Sequence, residues 1–249
     1  MTRSITTWRP RPKKLILKDN EVHVWCSPLF PNSKILNTLG LTLSADELER
    51  ANRFHFQKDR CRFIAGRGIL RSIIADYLQT RPKDIGFTYN TRGKPSITKM
   101  SGGSGISFNL SHSHGLAVYA FTRRREIGID IERLRSNLSF ERIAKRFFTT
   151  EEFEKLNSLA HEEFIEGFFK LWTFKEAYIK AKGIGLSIPL NRFVVTFDRG
   201  QTVRIKKIGI NPDEECGWSF HSLTPARGYV GALAVGGKNV RLKYWKWSE

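Results

Sequence analysis

The chain has 249 residues, 40% hydrophobic and 27% charged, which suits one large globular domain or two small ones and excludes a disordered chain. Its 42 Lys and Arg against 24 Asp and Glu give a net charge of +18, and so point to an anionic partner: nucleic acid, a phosphorylated ligand, an acidic protein or an anionic surface. No run of about 18 apolar residues predicts a membrane-spanning helix, the basic start MTRSITTWRPRPKK lacks the apolar segment of a secretory signal, and the three distant cysteines (Cys26, Cys61, Cys216) form no CxxC pair. No disulfide framework or zinc site is indicated, and a reducing cytoplasm is the expected compartment.

In chain order, EVHVWCSPL (21–29) alternates like a strand, and SADE (44–47) is a capping box opening helical text. In DRCRFIAGRGILRSIIADYL (59–78), Phe63, Ile64, Leu70, Ile73, Ile74 and Tyr77 recur at helical spacing, with arginines between them. YNTRGKP (89–95) reads as a turn, and residues 105–122 read as two strands joined by a polar bend at 111–115. RRREIG (123–128) is the expected hinge. Residues 1–125 carry 22 basic and 8 acidic side chains (+14), and residues 126–249 carry 20 and 16 (+4). Beyond the hinge come a strand at 127–132, helical text at 139–148 and from TTEE (149–152), and a long helix at 161–182 ending at Gly183 and Gly185. Four strand-like pieces follow between 192 and 236. Helices plus antiparallel strands in each half predict an α+β fold, and the absence of GxGxxG and Walker loops disfavours an ordinary dinucleotide or nucleoside triphosphate site.

Four clusters carry chemistry. Asp130 and Glu132, two apart in EIGIDIERL, point to one face of a strand; they read either as solvated acids on a wet edge or as hard oxygen ligands for Mg²⁺. Glu176 and Lys180 lie i, i+4 on the long helix, with Lys175 turned about 100° away. That pair is either a surface ion pair of little worth or a buried functional one, and the apolar Trp172, Phe174, Tyr178 and Ile179 around it favour burial. Ser111 and His112 in FNLSHSHG offer hydroxyl and imidazole donors, whereas Ser113 and His114 read as turn residues. Lys94 in RGKP is held on extended backbone before Pro95, either presented to a phosphate or simply solvated.

In order, RGKP, FNLSHS, GIDIE and LWTFKEAYIKAKGIGL (171–186), with AKRFF (144–148) between the last two, resemble the Sfp-type 4'-phosphopantetheinyl transferases, over residues 45–190 or so. The resemblance implies an α+β pseudo-dimer of two similar halves, 1–125 with a basic coenzyme A-binding face and 126–249 with the metal-binding carboxylates. The active site is expected at their interface. It implies Mg²⁺-dependent transfer of 4'-phosphopantetheine from coenzyme A to a serine of an apo acyl, polyketide or peptidyl carrier protein, releasing adenosine 3',5'-bisphosphate. Asp130, Glu132 and Glu176 match the metal ligands, and Mn²⁺ is also admissible to oxygen donors. Glu176, directly or through a water, or else Glu152 is the implied base, Glu152 being equally a helix cap in TTEE. Lys180 matches the lysine on the departing phosphate, and Lys175 is expected to add a phosphate contact. Arg50, Arg53, Arg62, Lys94, Ser111 and His112 match coenzyme A-binding positions, Arg62 on the 3'-phosphate and Lys94 near the adenine and 3'-phosphate, with arginine where the family places lysine at 50 and 53. Acidic carrier proteins are the expected partners of a monomeric, cytoplasmic chain that binds neither nucleic acid nor membrane. The rival reading of the charge, nucleic-acid binding, has no RNP, KH or zinc-finger signature behind it.

Overall fold

The computed structural model describes residues 5–98, 105–136, 140–185, 189–197, 203–208 and 217–248. Ser139, Leu186, Asp198, residues 209–210 and Cys216 of the expected elements and motifs lie outside them. After a two-residue strand β1 (Arg9–Pro10), the chain runs twice through one plan. The first pass is β2 (Glu21–Pro28), α1 (Ser33–Gly40), α2 (Ala45–Asn52), the 22-residue α3 (Gln57–Leu78), a small hairpin β3 (Phe87–Tyr89) and β4 (Pro95–Ile97), then β5 (Ile106–Ser113) and β6 (Leu116–Arg123). The second is β7 (Ile127–Arg133), α4 (Phe140–Phe147), α5 (Thr150–Asn157), the 22-residue α6 (His161–Lys182), a hairpin β8 (Phe193–Phe197) and β9 (Val203–Ile208), then β10 (Trp218–Leu223) and β11 (Tyr229–Gly236). Strand order repeats as well: β2-β6-β5 in one sheet, β7-β11-β10 in the other, all antiparallel.

The layers run helix, sheet, sheet, helix. Ile69, Leu70 and Ile73 of α3 pack on Trp25, Tyr119 and Phe121 of the first sheet, and Phe174, Tyr178 and Ile179 of α6 pack in the second half's core with Ala232 and Ala234 of β11. Between the sheets, Val22, Val24, Val118 and Ala120 meet Ile127, Ile129, Ile131, Leu233 and Val235 in a third core. The apolar alternate positions of β7 therefore face the other sheet, and its polar positions (128, 130, 132) face α6.

One strand departs from the expected division at residue 125. β12 (Arg241–Lys246) leaves the second half and inserts between β1 and β2, parallel to both. Its Leu242 and Tyr244 pack on the inter-sheet core and its Trp245 on the first-half core, so burial of both faces accounts for the crossing.

Candidate active site

The site grows from the seam between β5 and β7, which share no backbone ladder. Three alternate residues of β5 supply side-chain acceptors instead. Asn109 Oδ1 accepts from Ile129 N (2.9 Å), Ser111 Oγ from Ile131 N (3.4 Å) and Ser113 Oγ from Arg133 N (3.2 Å). Each hydroxyl also donates across the seam: Ser111 to Asp130 Oδ1 (2.8 Å) and Ser113 to Glu132 Oε2 (2.9 Å). The two carboxylates of β7 are thus fixed by serines of the other half. On the opposite side, α6 lies against β7 at Gly128, where an added Cβ would sit 2.0 Å from Ala177 O. Only glycine permits that approach, and it carries Glu176 and Lys180 over the acids. Lys180 Nζ is 2.6 Å from Asp130 Oδ1 and 3.2 Å from Ser111 Oγ.

Asp130 is 5% exposed, and its Oδ2 is buried with no hydrogen-bond partner. Burial and the Asp130 charge push the Glu132 carboxyl above its ordinary range. Burial, Asp130 and Glu132 do the same to Glu176, against the pull of Lys180. The three acids therefore share one electrostatic neighbourhood. They are not a ready-made cage: among the described residues no group of three His, Cys, Asp or Glu side chains is gathered closely enough to hold a metal ion unaided.

Beside the seam, a cavity of about 500 Å³ opens between α2, α3, the 89–95 turn and the end of β5. Arg50, Arg62, His112 and His114 line it together with Phe54 and Tyr89. The Arg62 guanidinium lies 5.0 Å from the Phe30 ring and 3.4 Å from Asp59, and its Nε is buried without a partner. Desolvation, then the Lys180 and Arg62 cations, hold the His112 imidazole below its usual range. A larger cavity of about 740 Å³ lies between the N-terminal segment and β12, but no expected site residue reaches it.

Four expected residues stand elsewhere. Arg53 is exposed at the end of α2, paired with Glu49, and is absent from the cavity wall. Lys175 is fully buried and donates to Leu190 O (2.7 Å) and Phe193 O (2.6 Å), with Glu152 Oε1 at 2.9 Å; it has no room for a phosphate. Glu152 completes that interior network: its Oε2 accepts from Thr149 N (2.9 Å) as a helix cap, and its Oε1 from Val195 N (2.8 Å). The first half holds a matching device. Glu47 of the SADE cap pairs with Arg71, which donates to Pro82 O and Ile85 O. Arg71 and Lys175 are each the fifteenth residue of their helices. Glu152 and Lys175 thus repeat the tie made by Glu47 and Arg71, with their charged groups turned to the interior of the second half. Lys94 is the fourth: Gly93 and Pro95 line the basic cavity, but the Lys94 ammonium turns to the other side and donates to Ile127 O (3.1 Å) and Ala181 O (2.8 Å).

Asn109 and Ser113 were missed. Ser113 reads from the sequence as a turn residue in a polar bend at 111–115, but β5 runs on through Ser113; the signal is the polar alternation at 109, 111 and 113 in FNLSHS, which forms a seam with another strand.

A basic cavity opens beside a cluster of carboxylates where two copies of one plan join, an arrangement that suits an enzyme acting on a phosphorylated substrate. Comparison with known proteins carries this further. Residues 126–234 match the model of the 4'-phosphopantetheinyl transferase superfamily, and residues 30–123 match that of the 4'-phosphopantetheinyl transferase N-terminal region. The 4'-phosphopantetheinyl transferase HetI of Nostoc sp. (strain PCC 7120) is 43% identical over 96% of this chain and 98% of its own length. The 4'-phosphopantetheinyl transferase Sfp of Bacillus subtilis (strain 168) is 36% identical over 66% of this chain and 70% of its own. The human L-aminoadipate-semialdehyde dehydrogenase-phosphopantetheinyl transferase is 31% identical over 72% of this chain and 62% of its own. The chain belongs to the 4'-phosphopantetheinyl transferase family. Its activity is transfer of phosphopantetheine from coenzyme A to a carrier-protein serine.

Proposed function

We propose that this transfer takes place at the β5–β7–α6 seam, on an acidic carrier protein, with Asp130, Glu132 and Glu176 holding Mg²⁺. The observation that carries the reading is Asp130 Oδ2, a buried carboxylate oxygen without a partner, beside Glu132 and Glu176, whose carboxyls burial and then the Asp130 charge push above their ordinary range. An all-oxygen donor set of this kind fits a hard divalent cation, and Mg²⁺ is commonly held by one or two carboxylates plus substrate phosphates rather than by a protein cage. When bound, the ion would offset charge on the coenzyme A diphosphate.

The remaining work falls to side chains of this chain. Arg62, with its unpartnered Nε, and Arg50, stacked 5.2 Å from the Phe63 ring, supply positive charge to the nucleotide phosphates along the cavity. His112 contributes a phosphate contact from the cavity wall. Lys180, reaching the seam from α6, neutralises the oxygen on which the adenosine bisphosphate departs. The carrier serine must lose its proton as it attacks phosphorus, and Glu176, directly or through a water, is the group at the seam that would accept it. The +14 first half attracts an acidic carrier and speeds encounter. Among the described residues no helix is long and apolar enough to cross a membrane.

The test is incubation with coenzyme A, Mg²⁺ and apo carrier proteins of several kinds, read by intact mass. Addition of one phosphopantetheine to a carrier is expected, together with its loss on chelation of the metal. Unchanged mass across the carriers, or full activity in excess chelator, would overturn the reading.

A further inference from the structure

The 90–95 turn of the first half is docked on the C-terminal end of α6. Asn90 Oδ1 accepts from Arg92 N and Lys94 N (both 2.9 Å), which makes the turn rigid, and Asn90 Nδ2 donates to Gly183 O (2.7 Å). Gly183, in left-handed conformation (φ 68°), closes α6, and a Cβ there would lie 3.1 Å from Lys94 Cδ and 3.2 Å from Asn90 Nδ2. The Lys94 ammonium then binds two carbonyls: Ile127 O, three residues before Asp130, and Ala181 O, next to Lys180. Helix-end carbonyls lack intrahelical partners, and a cation there is favourable. One side chain thus joins the strand that carries Asp130 to the helix that carries Glu176 and Lys180. Its flanking residues, Gly93 and Pro95, form part of the wall of the coenzyme A cavity.

We propose that Lys94 is a positioning residue that latches β7 to α6 and couples the cavity wall to the alignment of Lys180 and Glu176 over Asp130, and that it is not a phosphate ligand. The proposal rests on the seam being the catalytic centre. Burial draws the Lys94 ammonium down to about 8, in keeping with an interior tie rather than a solvated lysine. A latch acts on both ends of the reaction geometry and is blind to the 3'-phosphate, whereas a phosphate ligand discriminates coenzyme A from dephospho-coenzyme A.

Lys94→Met keeps the alkyl stem and removes the donor. With a saturating apo carrier, kcat is expected to fall about ten- to hundredfold with both coenzyme A and dephospho-coenzyme A, the cost of misplacing reacting groups by a fraction of an ångström. The ratio of the two KM values should stay as in the wild type. Lys94→Gln, whose amide still donates to carbonyls, should recover part of kcat; should the methionine variant not fold, it carries the same comparison. Amide exchange measured without any substrate tests the latch apart from catalysis, with faster exchange expected at 181–183. A KM rise confined to coenzyme A, a lowered melting temperature with unchanged kcat, or unchanged exchange at the helix end would each overturn the proposal. The wild-type rate on the same carrier reports separately on the transferase reading.

Discussion

At the scale of single residues, Asp130 is the side chain on which most depends. It accepts from Ser111 and Lys180 through one oxygen and leaves the other buried and unpartnered. Asp130→Asn keeps the volume and one acceptor but removes the charge that Lys180 answers and that the proposed Mg²⁺ site would use. Turnover is expected to fall about a hundredfold or more, with an unchanged far-UV circular dichroism spectrum; near-normal turnover in mass-based carrier assays would remove Asp130 from the centre. Arg62→Ala has a more selective signature. Losing a charge-assisted contact costs about 1.5–3 kcal/mol, or roughly tenfold or more in affinity. Coenzyme A should suffer that loss and dephospho-coenzyme A much less, and equal weakening of both would take Arg62 away from the 3'-phosphate. Two acids in a β-branched run, and an acid and a lysine on an apolar helix, stand out because their types are costly there, but the resemblance, not that cost, implies their roles and that of Arg62. Glu152 and Lys175 look just as costly in the sequence. Only their burial, and the parallel tie between Glu47 and Arg71, sets them apart from the proposed site residues.

At the scale of elements, that parallel makes its own prediction. Glu152→Gln keeps one acceptor for the Thr149 cap, replaces the oxygen that accepts from Val195 N by an amide NH₂, and leaves the Lys175 ammonium, fully buried, without its carboxylate. Breaking one partner of a buried pair costs about 3–5 kcal/mol. Denaturant melts should show that loss while kcat of the folded fraction stays within about twofold; a collapse of kcat at unchanged stability would return Glu152 to the chemistry. The contact of β7 with α6 is the second test. Gly128→Ala places a methyl 2.0 Å from Ala177 O and 2.3 Å from Ala181 N, and both are backbone atoms with little room to yield. Overpacking costs about 1–3 kcal/mol in an ordinary core, and the helix here can relieve it only by moving off the strand. Stability and turnover should therefore fall together, turnover further, because Glu176 and Lys180 ride on the displaced segment. A stable variant of normal activity would mean that the close approach is not what aligns them. The sequence marks the elements themselves through periodicity and caps. It does not mark their pairing: nothing in FNLSHS states that its polar side meets β7, and nothing in the last residues states that β12 returns to the first sheet.

At the scale of the whole molecule, the sandwich buries groups that strand alternation alone would leave wet. Glu21 and His23, polar alternate positions of β2, are each about 1% exposed because α3 covers that side of the sheet and β12 flanks its edge. His23 sits between Tyr77 of α3 (Nδ1 to Oη 2.8 Å) and Glu21 (Nε2 to Oε2 3.2 Å), and Glu21 in turn holds Lys243 of β12 (2.9 Å). This network ties the C-terminal strand and the long helix to the central strand. Desolvation lowers the His23 imidazole to about 4, against the attraction of Glu21. A folded value below the unfolded one, near 6.5, means that the unfolded chain binds the proton first as pH falls. The stability this group contributes is complete above about pH 6.5 and is lost progressively down to about pH 4, amounting to roughly 3 kcal/mol at 1.36 kcal/mol per unit. Glu132 and Glu176, with raised values, gain protons first in the folded state and act in the opposite sense, so the wild-type curve alone does not isolate the histidine. The difference from His23→Gln does, because glutamine keeps polar contacts to Tyr77 and Glu21 without titrating. Urea unfolding from pH 7 to pH 4 should show the advantage of the wild type over this variant shrinking by about 3 kcal/mol. Parallel curves would show that the imidazole is charged within the fold, held by Glu21 as an ion pair, and that desolvation is not the term that governs it.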